Sequence, residues 1–514
     1  MPAIVLATLN ARYAHASMGL RCLRANLGEL RDDSVIREFV IGQKTEEIVE
    51  KLLAESPRVL GLGVYIWNVE ETTRLVAQLR AVAPEVRIVL GGPEVSHETD
   101  QQRICALADY VITGWGDVSF AELARALLAG TPPAAKLIPG AQPPLAELAL
   151  PYAEYSDEDL QRRHIYVEAS RGCPFKCEFC LSALDKTAWP FPLPAFLAEL
   201  ESLHTRGARQ FKFVDRTFNL KVDTSLAILQ FFLDKLEAAP EDPLFVHFEL
   251  IPDHLPERLK AMIARFPPGS LQFEIGIQSF NPEVQARVSR RQNDAAAESN
   301  LRWLREHSRA HLHVDLIAGL PGEDMASFAA GFDRLVRLAP HEIQFGILKR
   351  LRGAPIARHT AEFDLRFNPD PPYNILSTRE LDFPTLQRLS RFSRYWDLIA
   401  NSGRFPRTLG LLLGETPFAH FLAFSDWLYA RIGQTHAIAH ERLVLLLREH
   451  LQLRGDTPTE AIDRALVDDY RGAGGRSRFD FEPADSPAPL PRQRDAQKEG
   501  ATPKRQARHL RAGA

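Results

Sequence analysis

Apolar and polar residues follow two recurring patterns along most of this 514-residue chain. Short apolar runs rich in β-branched residues predict strands, and longer stretches with apolar residues three and four positions apart predict helices. Strand-like runs in the first 135 residues cover positions 3–9, 35–41, 59–67, 86–91 and 110–114. Because helix-like stretches separate these runs, residues 1–135 are predicted to form an α/β domain with an open, five-stranded parallel sheet of the doubly wound type.

A second series of strand-like runs begins at Ile165 and ends near Leu351. The runs cover residues 165–170, 210–215, 244–250, 271–279, 312–319 and 342–348. Each run is followed by a helix-like stretch, so this region is also predicted to consist of parallel strand–helix units.

The rest of the chain has different patterns. Residues 136–160 are rich in proline and alanine, which predicts a linker with stiff segments. Residues 353–470 are mainly helical in pattern, and their aromatic side chains recur at three- and four-residue steps, which predicts an aromatic core. Residues 471–514 are rich in Gly, Pro, Arg and Ala, which predicts a disordered tail.

The composition limits the possible functions. Hydrophobic residues make up 45% of the chain and charged residues 25%, as is usual for a soluble globular protein. The net charge of −4 gives no reason to expect nucleic acid as a partner. No apolar stretch is long enough for a membrane span, and the first residues lead into a strand without a basic segment. We therefore expect a cytoplasmic protein with no membrane contact.

Three of the five cysteines, Cys173, Cys177 and Cys180, lie close together at C-x3-C-x2-C spacing. An odd number of adjacent thiols cannot all be paired in local disulfides. Structural zinc usually takes four ligands, commonly as two separated pairs, and the chain has no second C-x-x-C pair. Three thiolates on a [4Fe–4S] cluster would leave one iron open for a substrate or cofactor. A cluster is the favoured interpretation, and a partial zinc site or chance clustering is the alternative.

The cysteine spacing, with the aromatic Phe179 before the last cysteine, resembles the radical S-adenosylmethionine (SAM) enzymes. The resemblance implies that Cys173, Cys177 and Cys180 hold a [4Fe–4S] cluster whose open iron binds SAM. One electron from such a cluster cleaves SAM to methionine and a 5′-deoxyadenosyl radical. The resemblance also implies that residues 161–352 form a partial (β/α)6 barrel with its chemistry at the carboxyl ends of the strands.

Residues at the ends of the predicted strands match further patterns of this family. Asp215 and Phe218 resemble its D-x-x-F pattern, and residues 315–323 resemble its fifth-strand signature. The SAM contacts implied by the resemblance are Phe179, Glu249, Glu274, Gln278, Ser279, Asp315 and Gly319. An acid at the end of a strand is also a common helix N-cap, and glycine before Pro-Gly is also a common turn.

Glycines and aromatic residues follow the predicted strands of the first domain, which resembles the cobalamin-binding domain that precedes the barrel in one radical SAM subgroup. The cobalamin contacts implied are Asn10, Tyr13, Trp67, Asn68, Gly91, Gly92, Pro93, Gly114 and Gly116. Neither His15 nor His97 lies in the D-x-H-x-x-G motif that supplies a cobalt ligand in many cobalamin proteins, so no histidine ligand is predicted. The alternative is that the domain kept the fold and lost the cofactor.

Together the resemblances imply an enzyme that uses a [4Fe–4S] cluster, SAM and cobalamin to methylate an unactivated carbon. Radical rearrangement or ring formation would use the same parts. A methylthiotransferase acting on RNA or protein is disfavoured, because its second cluster needs three amino-terminal cysteines and only Cys22 and Cys105 lie there. A cobalamin- or cluster-binding sensor without catalysis is the remaining alternative.

The expected partners are a small-molecule substrate and an electron donor such as flavodoxin or ferredoxin. Residues 353–470 resemble an uncharacterised helical domain found fused to cobalamin-type radical SAM proteins. No residue of this region or of the predicted barrel identifies the substrate.

Overall fold

The computed structural model of the chain describes residues 2–185, 187–483 and 502–512. The chain divides into two compact units. The first comprises Met1–Arg216, Lys349–Ala357 and Asn368–Asn374, and the second comprises Thr217–Leu348, Arg358–Phe367 and Ile375–Ala514. Within the described ranges, no helix combines the length and the apolar character that crossing a bilayer requires.

The first unit contains a sheet of six parallel strands in the order β2-β1-β3-β4-β5-β6. Its strands are β1 (Ile4–Asn10), β2 (Ser34–Val40), β3 (Val59–Gly63), β4 (Arg87–Gly91), β5 (Tyr110–Thr113) and β6 (Leu137–Pro139). The helices along this part of the chain are α1 (Met18–Ala25), α2 (Thr45–Leu53), α3 (Val69–Val82), α4 (Arg103–Leu107) and α5 (Asp117–Leu128). The strand order is that of a doubly wound fold, and it reverses between β1 and β3.

The central strands of this sheet are apolar on both faces because helices cover both. Leu60 and Leu62 belong to the core on one face, whereas Leu6 and Phe120 belong to the core on the other. A side chain at Gly61 would meet Phe120 at 2.8 Å and Leu6 at 2.9 Å. Glycine at this position therefore lets α5 pack directly on the sheet.

The segment predicted to be a linker adds β6, so the sheet has six strands and not the predicted five. Val111 donates a backbone hydrogen bond to Lys136 at 3.0 Å, and Gly140 donates one to Thr113 at 2.7 Å. A segment rich in proline and alanine shows no strand periodicity, so only the pairing with β5 reveals this strand.

Buried ion pairs anchor the end of the same segment, where α6 (Asp157–Arg162) begins the approach to the next strand. Asp159 pairs with Arg21 at 2.7 Å and with Arg163 at 3.0 Å. Glu38 pairs with the same two arginines at 2.9 and 2.7 Å. Because each charge is buried with a partner of opposite sign, loss of one side chain would leave an unpaired buried charge, which costs about 3–5 kcal/mol.

The first unit also contains two strands of the second α/β region. β7 (Ile165–Val167) and β10 (Gln210–Phe213) pair in parallel, and α7 (Leu193–Thr205) lies between them in the chain. Two short strands, β8 (Ser170–Arg171) and β9 (Trp189–Pro190), form an antiparallel pair around the cysteine segment.

The second unit contains four strands that pair in parallel and in chain order. They are β11 (Phe245–Leu250), β12 (Leu271–Gln278), β13 (His311–Ala318) and β14 (Glu342–Ile347). The helices in this part of the chain are α8 (Val222–Ala238), α9 (Glu257–Ile263), α10 (Pro282–Arg287), α11 (Asp294–His307) and α12 (Met325–Arg337). Every second residue of β12 is buried, and the residues between them include polar side chains, so one face of the strand is polar.

The carboxyl-terminal part of the second unit is helical, as its aromatic spacing predicts. Its helices are α13 (Phe383–Ile399), α14 (Pro406–Leu413), α15 (Pro417–Ile432), α16 (His440–Arg454) and α17 (Thr459–Gly472), preceded by an antiparallel pair of strands, β15 (Arg366–Phe367) and β16 (Ile375–Ser377). The ring of Phe392 lies 5.2 Å from that of Phe332 and 4.8 Å from that of Phe421. These aromatic side chains form the core that joins α12, α13 and α15.

A further helix, α18 (Lys504–Ala512), lies in the segment for which disorder is predicted. Arg505 pairs with Glu342 at 2.9 Å, and Thr502 donates a hydrogen bond to the carbonyl of Gly269 at 2.7 Å. The composition of the tail predicts disorder, and it carries no information about these partners, because they lie far away in the sequence. Residues 484–501 of the predicted tail lie outside the described residues.

Replacing Phe392 by Ala is expected to lower the free energy of unfolding by about 3–5 kcal/mol, because the fully buried ring leaves a cavity among other aromatic rings. Urea denaturation followed by circular dichroism measures the loss. Phe383 lies in the same helix and is 50% exposed, so Phe383→Ala is the control, with an expected change within about 0.5 kcal/mol. Equal losses for the two variants would contradict the packing described for α13.

Candidate functional site

The cysteine loop begins at Gly172, directly after β8. Gly172 has a φ of +88°, and a side chain there would collide with the backbone carbonyl of Thr187 and approach the ring of Trp189 at 2.8 Å. Both the backbone conformation and the crowding require glycine. The start of the loop is therefore held against the residues that lead into β9, which positions the first cysteine.

The three thiols of this loop influence one another. Cys173 is buried, Cys177 and Cys180 are half-buried, and the backbone N–H of Cys180 donates to the carbonyl of Cys177 at 3.0 Å. Burial raises the pKa of the Cys173 thiol, and the charges of the other two cysteines raise it further. A hydrogen bond with the backbone of Phe175 acts in the opposite direction. Binding of a metal cluster would stabilise the thiolate form that burial disfavours.

The described residues do not offer a ready site for a single metal ion. Within residues 2–185, 187–483 and 502–512, no group of three His, Cys, Asp or Glu side chains is arranged to hold a metal ion. A zinc site needs its ligands around one ion, whereas a [4Fe–4S] cluster takes one thiolate at each of three separate irons.

Asp215 supports the entrance to the loop from the end of β10. Its carboxylate accepts hydrogen bonds from the backbone N–H of Ala169 at 2.9 Å and from the hydroxyl of Ser170 at 2.6 Å. Burial raises the pKa of Asp215 to about 7, although both hydrogen bonds act to lower it. The first residue of the D-x-x-F pattern therefore fixes the backbone between β7 and the cysteines.

Arg171 joins the cysteine loop to the amino-terminal domain. Its guanidinium pairs with Asp117 at the start of α5 and with Glu168, each at 2.8 Å, and it lies 3.5 Å from the sulfur of Cys22. Burial acts to lower the pKa of Arg171, but its interactions with Glu168, Cys22 and Asp117 outweigh this effect and raise the pKa. Burial also raises the pKa of Glu168. A buried cation thus holds two carboxylates from separate elements.

A cavity of about 330 Å³ lies in the first unit at the carboxyl ends of β3, β4 and β5, where doubly wound folds bind ligands. The glycines that line it are Gly19, Gly61, Gly63, Gly91, Gly92, Gly114 and Gly116. Because they lack side chains, the backbone itself forms much of the wall. A side chain at Gly114 would meet no atom within 4 Å, so this residue borders open space. The cavity is therefore open at Gly114, at the edge of the sheet where doubly wound folds bind their ligands.

The cavity also reaches residues that the sequence patterns do not identify. Cys22, Asp117, Glu168 and Arg171 line it together with the glycines. In the sequence, only their position next to the predicted motifs could have identified two of them. Asp117 directly follows Gly116 of the predicted cobalamin contacts, and Arg171 directly precedes Gly172 at the start of the cysteine loop. The structure thus adds a charged wall to a site predicted from glycines and aromatic residues alone.

Four of the predicted cobalamin contacts line this cavity, namely Gly91, Gly92, Gly114 and Gly116. The residues found outside its lining are Asn10, Tyr13, Trp67, Asn68 and Pro93. Tyr13 and Trp67 are 50% and 46% exposed, so both remain accessible from solvent near the ends of the strands.

The two asparagines of this set have partners inside the domain. Asn68 is fully buried; its amide donates to the carbonyl of Leu9 at 3.0 Å and accepts from the backbone N–H of Tyr65 at 2.8 Å. Asn10 donates to Glu38 at 2.9 Å. Both side chains therefore stabilise the loops at the carboxyl edge of the sheet.

Residues Lys349–Ala357 form a strap within the first unit. Arg352 of the strap pairs with Glu94, just after the glycines of β4, at 3.0 Å. The backbone N–H of Ile356 donates to the carbonyl of Glu178, which lies between Cys177 and Cys180, at 2.9 Å. The strap therefore contacts both the loop after β4 and the cysteine loop.

Six of the seven predicted SAM contacts lie in the second unit, and the seventh, Phe179, is half-buried in the cysteine loop. Strand register places Glu249 of β11 beside Glu274 of β12. It also places Gly276 of β12 beside Asp315 of β13. The structure therefore places the predicted contacts Glu249, Glu274 and Asp315 on three neighbouring strands.

The remaining predicted SAM contacts lie where strands end. Gln278 and Gly319 have φ values of +71° and +89°, and a side chain at Gly319 would meet Ile375 at 2.7 Å. The buried hydroxyl of Ser279 donates to Glu323 at 2.5 Å, and burial raises the pKa of Glu323 to about 7. Ser279 and Gly319 thus also have structural roles in shaping these turns.

Family models match three successive regions of the chain. Residues 4–124 match the B12 binding domain, residues 167–335 the radical SAM superfamily, and residues 361–507 a protein family of unknown function, DUF4080. The matches confirm the predicted succession of a cobalamin-binding domain, a radical SAM domain and an uncharacterised carboxyl-terminal domain. They also confirm the predicted cofactor set of these domain types: cobalamin, SAM and a [4Fe–4S] cluster.

Two curated relatives have similar sequences. The chain is 26% identical over 245 residues to the uncharacterized methyltransferase PH0819 of Pyrococcus horikoshii, a match covering 42% of the chain and 53% of the relative. It is 23% identical over 461 residues to the cobalamin-dependent radical SAM methyltransferase TokK of Streptomyces tokunonensis, covering 80% of the chain and 65% of the relative. The chain spans about half to two thirds of the length of these relatives.

Solved structures share the fold. The radical SAM methyltransferase TsrM from Kitasatospora setae, with tryptophan and a SAM analogue bound, has a TM-score of 0.58 and 19% identity, over 70% of this chain and 76% of that chain. The cobalamin-dependent radical enzyme OxsB, with aqua-cobalamin and SAM bound, has a TM-score of 0.58 and 14% identity, over 91% and 79%. These likenesses confirm the predicted fold class: a doubly wound amino-terminal sheet, a partial (β/α)6 barrel and a mostly helical carboxyl-terminal region.

Replacing Asp215 by Asn is expected to change the pH dependence of unfolding. The folded pKa of about 7 lies above that of an unfolded aspartate, about 3.9, so the folded chain keeps a proton that the unfolded chain releases. The parent should therefore lose stability relative to the Asp215→Asn variant as the pH rises from about 4 to about 7. Urea denaturation at several pH values measures the difference.

The control for this experiment is Asp223→Asn, because the side chain of Asp223 is 87% exposed. Its stability should follow the parent at every pH. If the Asp215→Asn curve also runs parallel to that of the parent, the buried carboxyl is not protonated in the folded chain.

Proposed function

We propose that this chain, which belongs to the radical SAM superfamily and carries a B12-binding domain ahead of its radical SAM domain, is an enzyme that methylates an unactivated carbon. The observation that carries the proposal is the shared cavity of the first unit. Its glycines lie at the carboxyl ends of β3, β4 and β5, and its charged wall is formed by Glu168 and Arg171, which lead directly into the cysteine loop. The residues proposed to bind cobalamin are thus connected, through Glu168 and Arg171, to the cysteine loop proposed to hold the cluster.

In this proposal Cys173, Cys177 and Cys180 hold the cluster. Cys173 must lose its proton when a metal binds, and the hydrogen bond with the backbone of Phe175 supports the negative sulfur. When bound, the cluster and SAM supply the radical, and cobalamin supplies the methyl group. The chain itself orients these groups and keeps water from them.

Cobalamin is assigned to the cavity at Gly91, Gly92, Gly114 and Gly116, with Tyr13, Trp67 and Pro93 as outer contacts. Asn10 and Asn68 support the same loops from within. The rings of Trp115 and Phe191 lie 5.2 and 5.5 Å from the guanidinium of Arg171. These rings shield the ion pairs from solvent, which strengthens their hold on the cysteine loop.

The SAM contacts are proposed to be Phe179, Glu249, Glu274, Gln278, Ser279, Asp315 and Gly319. Carboxylates suit a ligand whose sulfonium and ammonium groups are positively charged. The further partners are a small-molecule substrate and a one-electron donor such as flavodoxin or ferredoxin.

Replacing Cys177 by Ala is expected to abolish the cluster, because one iron loses its ligand. After anaerobic reconstitution, the parent should contain about four irons, the number in a [4Fe–4S] cluster, and should release 5′-deoxyadenosine or S-adenosylhomocysteine from SAM under a strong reductant. The variant should do neither. Iron analysis and chromatography of the products measure both outcomes.

Cys105→Ala is the matched control. Cys105 is a buried thiol outside the cysteine loop, so this substitution should leave the iron content unchanged. Unchanged iron in the Cys177→Ala variant would refute the ligand assignment. A parent that forms the cluster but neither binds nor cleaves SAM would refute the enzymatic function and favour a sensor.

Replacing Gly91 by Val is expected to weaken cobalamin binding at least tenfold, because the new side chain projects into the cavity. The nearest atom to a side chain at Gly91 lies 3.9 Å away, so the folded chain tolerates it. Equilibrium dialysis followed by the absorbance of cobalamin measures the affinity. Gly410→Val, on an exposed helix position, is the control, and equal affinity in both variants would place cobalamin elsewhere.

A further inference from the structure

A second cavity, of about 730 Å³, lies in the second unit at the opposite ends of the strands from the predicted SAM contacts. Ser308 and Arg309, in the connection from α11 to β13, line it, as does His341, which directly precedes β14. These connections lie at the amino-terminal ends of the strands. The proposed function uses none of these residues.

The cavity carries positive charge that the chain does not neutralise. Arg305 and Arg309 line it, and among the described residues neither forms an ion pair with a carboxylate. Arg302, which precedes Arg305 in α11, pairs with Glu298 at 2.9 Å. The nearby carboxylate of Glu342 is already bound by His311 and Arg505, each at 2.9 Å.

His341 shows that an acceptor is needed beside Arg305. Its Nδ1 accepts a hydrogen bond from the backbone N–H of Leu312 at 3.0 Å, so the proton of the neutral ring belongs on Nε2. Burial lowers the pKa of His341 to about 2, which keeps the ring neutral. Yet Nε2 faces a nitrogen of Arg305 at 2.7 Å, and that nitrogen is also a donor. A neutral imidazole has a single acceptor nitrogen, so the Arg305 N–H directed at Nε2 lacks an acceptor there.

The cavity is also lined by apolar side chains. Trp396, Leu409, Leu413 and Leu510 line it together with Ile343. Such a surface does not suit a free inorganic ion, which would leave most of the cavity unfilled. It suits an organic molecule with a charged group at one end.

We propose that this cavity binds a small organic phosphate. Its oxygens would accept hydrogen bonds from Arg305, Arg309 and Nε2 of His341, and its apolar part would pack against Trp396 and Leu409. A phosphate offers three oxygens to donors that come from separate side chains, whereas a carboxylate offers only two in one plane. The site does not depend on the proposed methyl transfer, and the cysteine loop takes no part in it.

The test is isothermal titration calorimetry of the full, cofactor-loaded chain with three probes: phenyl phosphate, inorganic phosphate and benzoate. Phenyl phosphate should bind most tightly, because only it has both the phosphate and the apolar ring. Arg305→Gln and Arg309→Gln should each weaken its binding about tenfold or more, since each removes a charge-assisted hydrogen bond. Arg305→Lys keeps the charge but loses the second donor and should be intermediate.

Arg302→Gln is the control. Arg302 lies in α11, as Arg305 does, but it does not line the cavity, so this substitution should leave the affinity unchanged. Binding of benzoate as tight as that of phenyl phosphate would overturn the phosphate assignment. Failure of phenyl phosphate to bind, or binding that survives both arginine substitutions, would overturn the site. Thermal denaturation of each variant confirms that the chain is folded.

Discussion

The buried ion pairs of Arg171 are the interaction on which the first unit depends. One guanidinium binds Asp117, at the start of the helix that follows β5, and Glu168, at the end of β7. Loss of one partner would leave an uncompensated buried charge, at a cost of about 3–5 kcal/mol. The position of Cys173, the first cysteine of the loop, is thereby tied to the loops that line the glycine cavity. Any ligand of that cavity meets a wall fixed by the same residue that introduces the cysteines.

Sequence patterns identify the parts of this molecule whose signals are local. The cysteine spacing and the apolar strands need no distant partner, and the fold class follows from their succession. β6 and α18 were not predictable in this way, because their partners, β5 and Glu342, lie elsewhere in the chain. The role of Asn68 is hidden for the same reason: the residues that bind its amide are brought to it only by folding.

The two ends of the strands in the second unit have opposite character. The acidic side chains of Glu249 and Asp315 lie in the carboxyl halves of β11 and β13, whereas Arg305 and Arg309 lie at the amino-terminal ends. Charge separation of this kind lets one domain attract a cationic ligand at one end and an anionic ligand at the other. The two proposed ligands would therefore bind at opposite ends of one set of strands.

The thiol of Cys22 has a consequence for how the glycine cavity selects its occupant. It lines the cavity, and burial raises its pKa well above the usual value. A protonated thiol is a poor metal ligand and a poor nucleophile. Selection must therefore rest on shape and on hydrogen bonding, not on a bond to a metal from this side chain. In the proposed function, Cys22 would contact a bound corrinoid as a neutral thiol and would supply no bond to its metal.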